Sequence, residues 1–225
     1  MRKVSPAPGE YYHIYNRGTN KQVIFLDERD WARFMFLIIY LQSPVVSFNN
    51  AGRHVSSYIK NSTFNVTQKD IEEIVKTRSV ELINFALMPN HFHLMVHELK
   101  ENGISNYMHR VSTAYTNYFN IKYERSGHLT QGPYKAVCVS GNDQLLYLSA
   151  YIHRNPREIK MWTNKEHEYP WSSYQDCVGK NRWGDLLKPE IILEQFSSKE
   201  DYHKFVKTNP AKLFDQEKEE GNSNC

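Results

Sequence analysis

His91 and His93 stand two residues apart in the run Met88-Pro89-Asn90-His91-Phe92-His93-Leu94-Met95-Val96. Strand side chains alternate between faces, so the two imidazoles point one way and Phe92, Leu94 and Val96 the other. Two imidazoles a strand repeat apart can share one divalent ion, and histidine is the commonest metal ligand. An isolated H-x-H pair is, however, more often two hydrogen-bonded histidines on a half-buried strand. Two neutral nitrogens also leave a divalent ion short of donors, with room for oxygen ligands and a substrate phosphate. The segment Tyr151-Ile152-His153-Arg154-Asn155-Pro156 offers such groups. On a helix Tyr151 and Asn155 lie one turn apart on one face. The Asn155 carboxamide oxygen is a candidate third ligand, although an asparagine before proline is also an ordinary helix-ending residue. Tyr151 would present a phenol to a metal-bound phosphate. With a pKa of about 10 that phenol needs a nearby cation or base, and its attack on a phosphodiester would leave a covalent phosphotyrosine.

The elements that must position these groups are legible in order. Tyr11 to Tyr15 is rich in β-formers and ends in the turn signal Asn16-Arg17-Gly18. Asp27 caps a helix whose apolar positions are Trp31, Phe34, Met35, Ile38 and Leu41, and Ser43-Pro44 stops it. Residues 45–68 are polar and without sustained periodicity, which predicts a long loop. A short helix opens at Thr67-Gln68-Lys69-Asp70. Two apolar runs, Val80 to Leu87 and His91 to Val96, flank the Met88-Pro89-Asn90 turn and predict an antiparallel pair. Ile104 to Tyr123 carries the longest helical pattern. Ala136 to Val139 is a strand, and a helix capped by Asn142 or Asp143 runs to Pro156.

Strand, helix, strand, strand, helix, strand is the split β-α-β-β-α-β pattern, which predicts an α+β, ferredoxin-like antiparallel sheet with helices on one face. We divide the chain into a domain over 1–175 with an insertion at about 43–78, a helical extension over 176–214, and a disordered tail over 215–225.

Composition sets the bounds. The 225 residues are 40% hydrophobic and 13% aromatic, enough for a proper core, with 15 tyrosines, so composition alone cannot select a catalytic one. A net charge of +3 and a pI near 8.6 are compatible with a nucleic-acid partner without arguing for one. Were the partner a nucleic acid, Arg17, Arg110, Lys122, Arg125, Lys135 and Arg154 would be candidate phosphate contacts, which position DNA without reading its sequence, although any single one is more often an ordinary solvated charge. The three cysteines have no C-x-x-C spacing, which argues against a zinc knuckle. The N-terminus lacks an apolar signal region, and the longest apolar run, Phe34 to Leu41, is short of the ~18 residues of a membrane span. These features predict a soluble cytoplasmic protein.

Six segments together resemble one known family: Y-H-I-Y-N-R-G (Tyr12 to Gly18), A-L-M-P-N-H-F-H-L-M-V (Ala86 to Val96), Y-T-N-Y-F-N (Tyr115 to Asn120), G-H-L-T-Q-G-P-Y-K (Gly127 to Lys135), Y-I-H-R-N-P (Tyr151 to Pro156) and Y-P-W-S-S-Y (Tyr169 to Tyr174). In that order they resemble the REP-associated tyrosine transposases, relatives of the IS200-like single-tyrosine HUH transposases. The resemblance implies a ferredoxin-like domain that binds single-stranded DNA beside a hairpin. It implies Mg²⁺ or Mn²⁺ on His91 and His93, with Asn155 where relatives place a polar residue completing the metal site. Tyr151 would be the nucleophile, giving a 5′-phosphotyrosine and a free 3′-hydroxyl. Some relatives are dimers in which the tyrosine helix serves the neighbouring site, so a homodimer is one expectation and a monomer another. The chain departs from the family at Pro133, where relatives commonly carry arginine, which removes one phosphate or base contact.

Rival assignments follow from position. Tyr115 and Tyr118 sit mid-helix among apolar neighbours and read as core. Tyr147 lies one turn before Tyr151. His153 points away from Tyr151 and reads as a surface or DNA-contacting group, while Trp171 and Tyr174 either stack on bases or pack the extension onto the domain. Two further function classes remain: a non-catalytic binder of structured single strands, which the Pro133 departure favours, and a metal-dependent phosphodiesterase without a covalent intermediate.

Overall fold

Alternating apolar residues in four segments build the sheet that carries the histidines. The computed structural model describes residues 6–209. Its elements are β1 (Tyr11–Arg17), α1 (Glu28–Tyr40), α2 (Ala51–Asn61), α3 (Gln68–Thr77), β2 (Val80–Met88), β3 (His91–Glu98), α4 (Gly103–Lys122), β4 (Lys135–Cys138), α5 (Asn142–Arg154), α6 (Tyr174–Val178), α7 (Glu190–Leu193) and α8 (Lys199–Thr208). The strands form one antiparallel sheet in the order β2-β3-β1-β4, the ferredoxin-like arrangement expected. The tail predicted from residue 215 lies outside the described residues.

Each sheet face has its own core. Tyr12, Ile14, Phe92, Leu94, Val96, Leu82 and Phe85 point to α1 and α4, where Phe34 meets Phe92 at 4.9 Å and Tyr107 donates to the Ile38 carbonyl. Ile83, Ala86 and Met95 point the other way, to Leu145, Leu148 and Ile152 of α5 and to residues of α6, α7 and α8. The expectation of helices on one face is therefore corrected. The two crossover helices share a face, and α5, which follows the last strand, folds over the opposite one, where the histidines are. The register shift in β2 between Leu82 and Asn84 assists this. A β-bulge gives the strand an extra residue, so the side chain of Asn84 meets Ser149 of α5 at 2.8 Å.

Helix α1 follows its sequence signals closely. Asp27 accepts from the Asp30 amide while the Asp30 carboxylate accepts from the Asp27 amide, a reciprocal cap. Helix α2 corrects the predicted loop over 45–68. Asn50 caps it, and the buried residues Ala51, Val55 and Tyr58 stand at i, i+4 and i+7, a helical stripe set in an otherwise polar segment. Helix α5 starts from Gly141, with no side-chain cap from Asn142 or Asp143.

Helix α4 starts against β3 in a way the sequence does not announce. The Glu98 carboxylate at the end of β3 accepts from the amides of Gly103 (3.0 Å) and Ile104 (2.7 Å), replacing the cap that Asn102 does not supply. Gly103 must be glycine because a Cβ there would lie 2.4 Å from the Ser79 carbonyl oxygen. Glu98→Ala should destabilise the chain by about 1–2 kcal/mol, the cost of a lost cap, as measured by urea denaturation.

The Y-P-W-S-S-Y segment closes the open edge of β2. The Leu87 amide donates to the Trp171 carbonyl, the Ser173 amide to the Phe85 carbonyl and the Tyr169 hydroxyl to the Leu87 carbonyl. Trp171 stacks on Trp31 at 5.6 Å and the Tyr174 ring is buried, so in this structure both pack the extension onto the domain.

Candidate active site

Register places the histidines in the middle of the sheet. β1 and β3 are its two central strands, with Tyr15 opposite His93 and Arg17 opposite His91. Directly opposed residues point to the same face, so Tyr15 and Arg17 flank the two imidazoles. On the other side of β3, Ala86 and Met88 oppose His93 and His91. His91 and His93 are nearly buried, with ring centroids 5.0 Å apart.

Tyr151 reaches this cluster from α5 of the same chain. Its ring stands edge-on to His93, with centroids 5.3 Å apart at 83°, and edge-on to His13 at 6.0 Å. The two halves of the site thus meet within one chain. His13 is a residue that sequence reasoning passed over. It shares the face of Tyr15, and its Nε2 lies 2.8 Å from His93 Nδ1. The available signal was strand alternation in Y-H-I-Y, which sets His13 and Tyr15 on one face.

The Nδ1 atoms of both histidines have hydrogen-bond partners. His91 Nδ1 is 2.7 Å from Asn90 Oδ1. An amide oxygen can only accept, so His91 carries its proton on Nδ1 and its lone pair on Nε2. Burial, reinforced by His13 and His91, holds the His93 pKa well below its ordinary value, so the ring is neutral, the form that ligates. Among the described residues no group of three or more His, Cys, Asp or Glu side chains is placed to hold a metal ion. Two neutral imidazoles are donors of the kind a divalent ion takes, and His91 and His93 by themselves would leave it room for oxygen ligands. Asn155 is buried at the end of α5, and its Nδ2 donates to the Tyr151 carbonyl at 2.9 Å. Its nitrogen closes the helix, and only its oxygen is of the kind a metal takes.

The six candidate phosphate contacts separate. Arg17 and Lys135 are exposed on the histidine face, and Lys135 lies over the Tyr15 ring at 5.6 Å. Arg154 projects from α5 one residue before Asn155, half-buried. The others serve the opposite side. Arg110 donates to the carbonyls of Leu41, Ser43 and Val46, tying α4 to the chain after α1. Lys122 bridges Asp27 and Asp30 at 2.7 Å each. Although burial alone would lower its pKa, those hydrogen bonds raise it, so it stays charged and spent. Arg125 covers the Phe119 ring at 5.4 Å.

Other expectations resolve by burial. His153 is corrected from a surface group to a fully buried one, 2.6 Å from the Tyr202 hydroxyl and 2.9 Å from Ser173 Oγ. Tyr115 is core: its hydroxyl donates to the Ile24 carbonyl, and burial with Asp30 nearby raises its pKa well above the ordinary value. Tyr118 is raised to about 12, first by burial, and donates to Asp30. Neither is poised for attack. Tyr147 is exposed beside Phe205.

Three turns gather at the His91 end of the sheet. The Gly18 amide donates to the Asn90 carbonyl, the Ile24 amide to the Pro89 carbonyl and the Gln131 amide to the Arg17 carbonyl. Asn16 Nδ2 donates to the Gly132 carbonyl, and Pro133 is exposed beside it.

A family model described as "Transposase IS200 like" matches residues 49–155, a span holding His91, His93, Tyr151 and Asn155. Over that span the chain is similar to the IS200-like transposase family. A solved structure described as "Structure of the REP associates tyrosine transposase bound to a REP hairpin" has the same fold, with a TM-score of 0.50 at 13% identity, covering 88% of this chain and 94% of that one. No curated protein matches the sequence. Among the described residues no helix is long and apolar enough to cross a membrane.

Proposed function

We propose that the protein is a metal-dependent DNA strand transferase that cleaves single-stranded DNA beside a hairpin through Tyr151. The observation that carries this reading is the Tyr151 ring set edge-on to His93 within one chain. The hairpin substrate is taken from the similar protein, whose structure is described as bound to one.

His91 and His93 would hold Mg²⁺ or Mn²⁺, with an oxygen of Asn155 and of the DNA phosphate as further donors. When bound, the ion would draw charge from the phosphate oxygens. Tyr151 Oη attacks the phosphorus. The Oη–P bond forms as the P–O3′ bond breaks, the phenolic proton passes to solvent, and the departing oxygen takes a proton to leave as a 3′-hydroxyl. The 5′-phosphotyrosine retains the bond energy, and attack by a 3′-hydroxyl reverses the step and joins strands. Arg17 and Lys135 lie on the histidine face and would hold the flanking phosphates, with Arg154 on α5 a further candidate. Arg110, Lys122 and Arg125, held in contacts on the other side of the sheet, stabilise the fold instead.

The test is a labelled hairpin with a single-stranded flank, incubated with the protein and Mn²⁺. A covalent protein–DNA product and a free 3′-hydroxyl are expected, and both should vanish with chelator and with His93→Ala. Retarded DNA without cleavage would favour the non-catalytic binder, a reading that the exposed Pro133 in place of arginine supports. Cleavage that persists in chelator would refute the metal requirement.

A further inference from the structure

His13 lies outside the residues matched by the family model, yet its ring is within hydrogen-bond distance of His93. It is buried on β1, the central strand that pairs with β3, and its Nε2 is 2.8 Å from His93 Nδ1. One of the two nitrogens must carry the proton in that bond, so the tautomers of the rings are coupled. If His93 offers its Nε2 lone pair to a metal, its Nδ1 carries the hydrogen, and His13 Nε2 must accept it. His91 has the same arrangement by a different route, with Asn90 Oδ1 on its Nδ1. In that tautomer the Nδ1 hydrogen of each histidine of the pair meets an acceptor, His13 from β1 for His93 and Asn90 from the β2–β3 turn for His91.

We infer that His13 is a positioning residue that fixes the tautomer and ring orientation of His93 for metal binding, as Asn90 does for His91. The inference rests on the metal-dependent reading above. Ligating histidines characteristically hand their second N–H to an outer partner, and losing that partner costs roughly 10–100-fold in metal affinity. The His13 ring also faces Tyr151, 6.0 Å between centroids, and so forms part of the wall on which the phenol rests.

Glutamine is the conservative replacement, since its Oε1 can accept near the position of Nε2, whereas phenylalanine keeps the bulk and removes the acceptor. Mn²⁺ binding followed by electron paramagnetic resonance on the full chain, without DNA, reads the effect independently of cleavage. Wild type should bind, His91→Ala should lose the signal, His13→Phe should weaken binding ten- to a hundredfold, and His13→Gln should restore it to within a few-fold. Circular dichroism identifies any variant that fails to fold. Binding by His13→Phe equal to wild type would overturn the inference and leave the metal reading intact. Equal weakening in the glutamine and phenylalanine variants would also overturn it, as packing without hydrogen bonding would then be its role. A wild-type chain that takes up no Mn²⁺ would overturn the metal reading and this inference with it.

Discussion

Tyr151→Phe should abolish the covalent DNA product, a drop of roughly a thousandfold or more in strand cleavage, while hairpin binding stays within about twofold of wild type. The substitution removes one oxygen and keeps the ring that stands against His93 and His13. Electrophoretic retardation measures binding, and denaturing gels measure the adduct. An adduct formed at the wild-type rate by the Phe variant would move the nucleophile to another tyrosine. Tyr115 and Tyr118 are poor substitutes because burial raises both phenols.

The second large effect concerns how α5 is held. His153 is the hub of a buried chain of hydrogen bonds: Asn84 to Ser149, Ser149 to the Tyr202 hydroxyl, Tyr202 to His153, and His153 to Ser173. These residues lie on β2, α5, α8 and the segment along the β2 edge, so the network fixes the helix that presents Tyr151. His153→Ala removes a stacked ring, 4.9 Å from Tyr174, and leaves the Tyr202 hydroxyl and Ser173 short of a partner. It should cost about 2–4 kcal/mol in a urea titration. Burial lowers the His153 pKa to about 3. Between about 6.5 and 3 the unfolded chain protonates this residue while the folded chain does not, so its contribution is full above about 6.5 and falls with pH. The loss approaches about 1.4 kcal/mol per pH unit from this residue. The groups facing the ring, Tyr174, Tyr202 and Ser173, stay neutral in that window. His153→Gln should flatten the stability curve over this window, as followed by thermal melts between pH 4 and 7.

The sheet is readable in the sequence because its signals are local. Alternation in Val80 to Val96 and the Pro89-Asn90 turn are sufficient for an antiparallel pair, and the Asp27 cap with the spacing from Trp31 to Leu41 is sufficient for α1. Helix α2 is within reach of such reading, since Asn50 and the i, i+4, i+7 spacing of Ala51, Val55 and Tyr58 are helix signals, but the polar residues between them hide a stripe of three. The side of the sheet that α5 takes escapes it, because a chain-order pattern says nothing about a helix that follows the last strand. For the site, His91, His93 and Tyr151 are legible through spacing and resemblance, and the fold brings them together. His13 is not, since its importance depends on which strand pairs with β3. Charge misleads for a related reason. Arg110 and Lys122 look like any basic residues along a chain, and only tertiary structure shows their carbonyl and carboxylate partners. Helical phase relative to Tyr151 sends His153 to a different face, which suggests the surface. That phase does place it elsewhere, but α8 covers the place.

The location of the covalent bond is the most direct measurement of whether Tyr151 is the nucleophile. Wild-type protein is allowed to react with hairpin DNA and Mn²⁺, the adduct is digested with nuclease and protease, and the modified peptide is sequenced by mass spectrometry. A single nucleotide remnant joined through its 5′-phosphate to Tyr151 is the expected result. A remnant on Tyr147 or any other residue, or cleaved DNA with no protein attached, would contradict it.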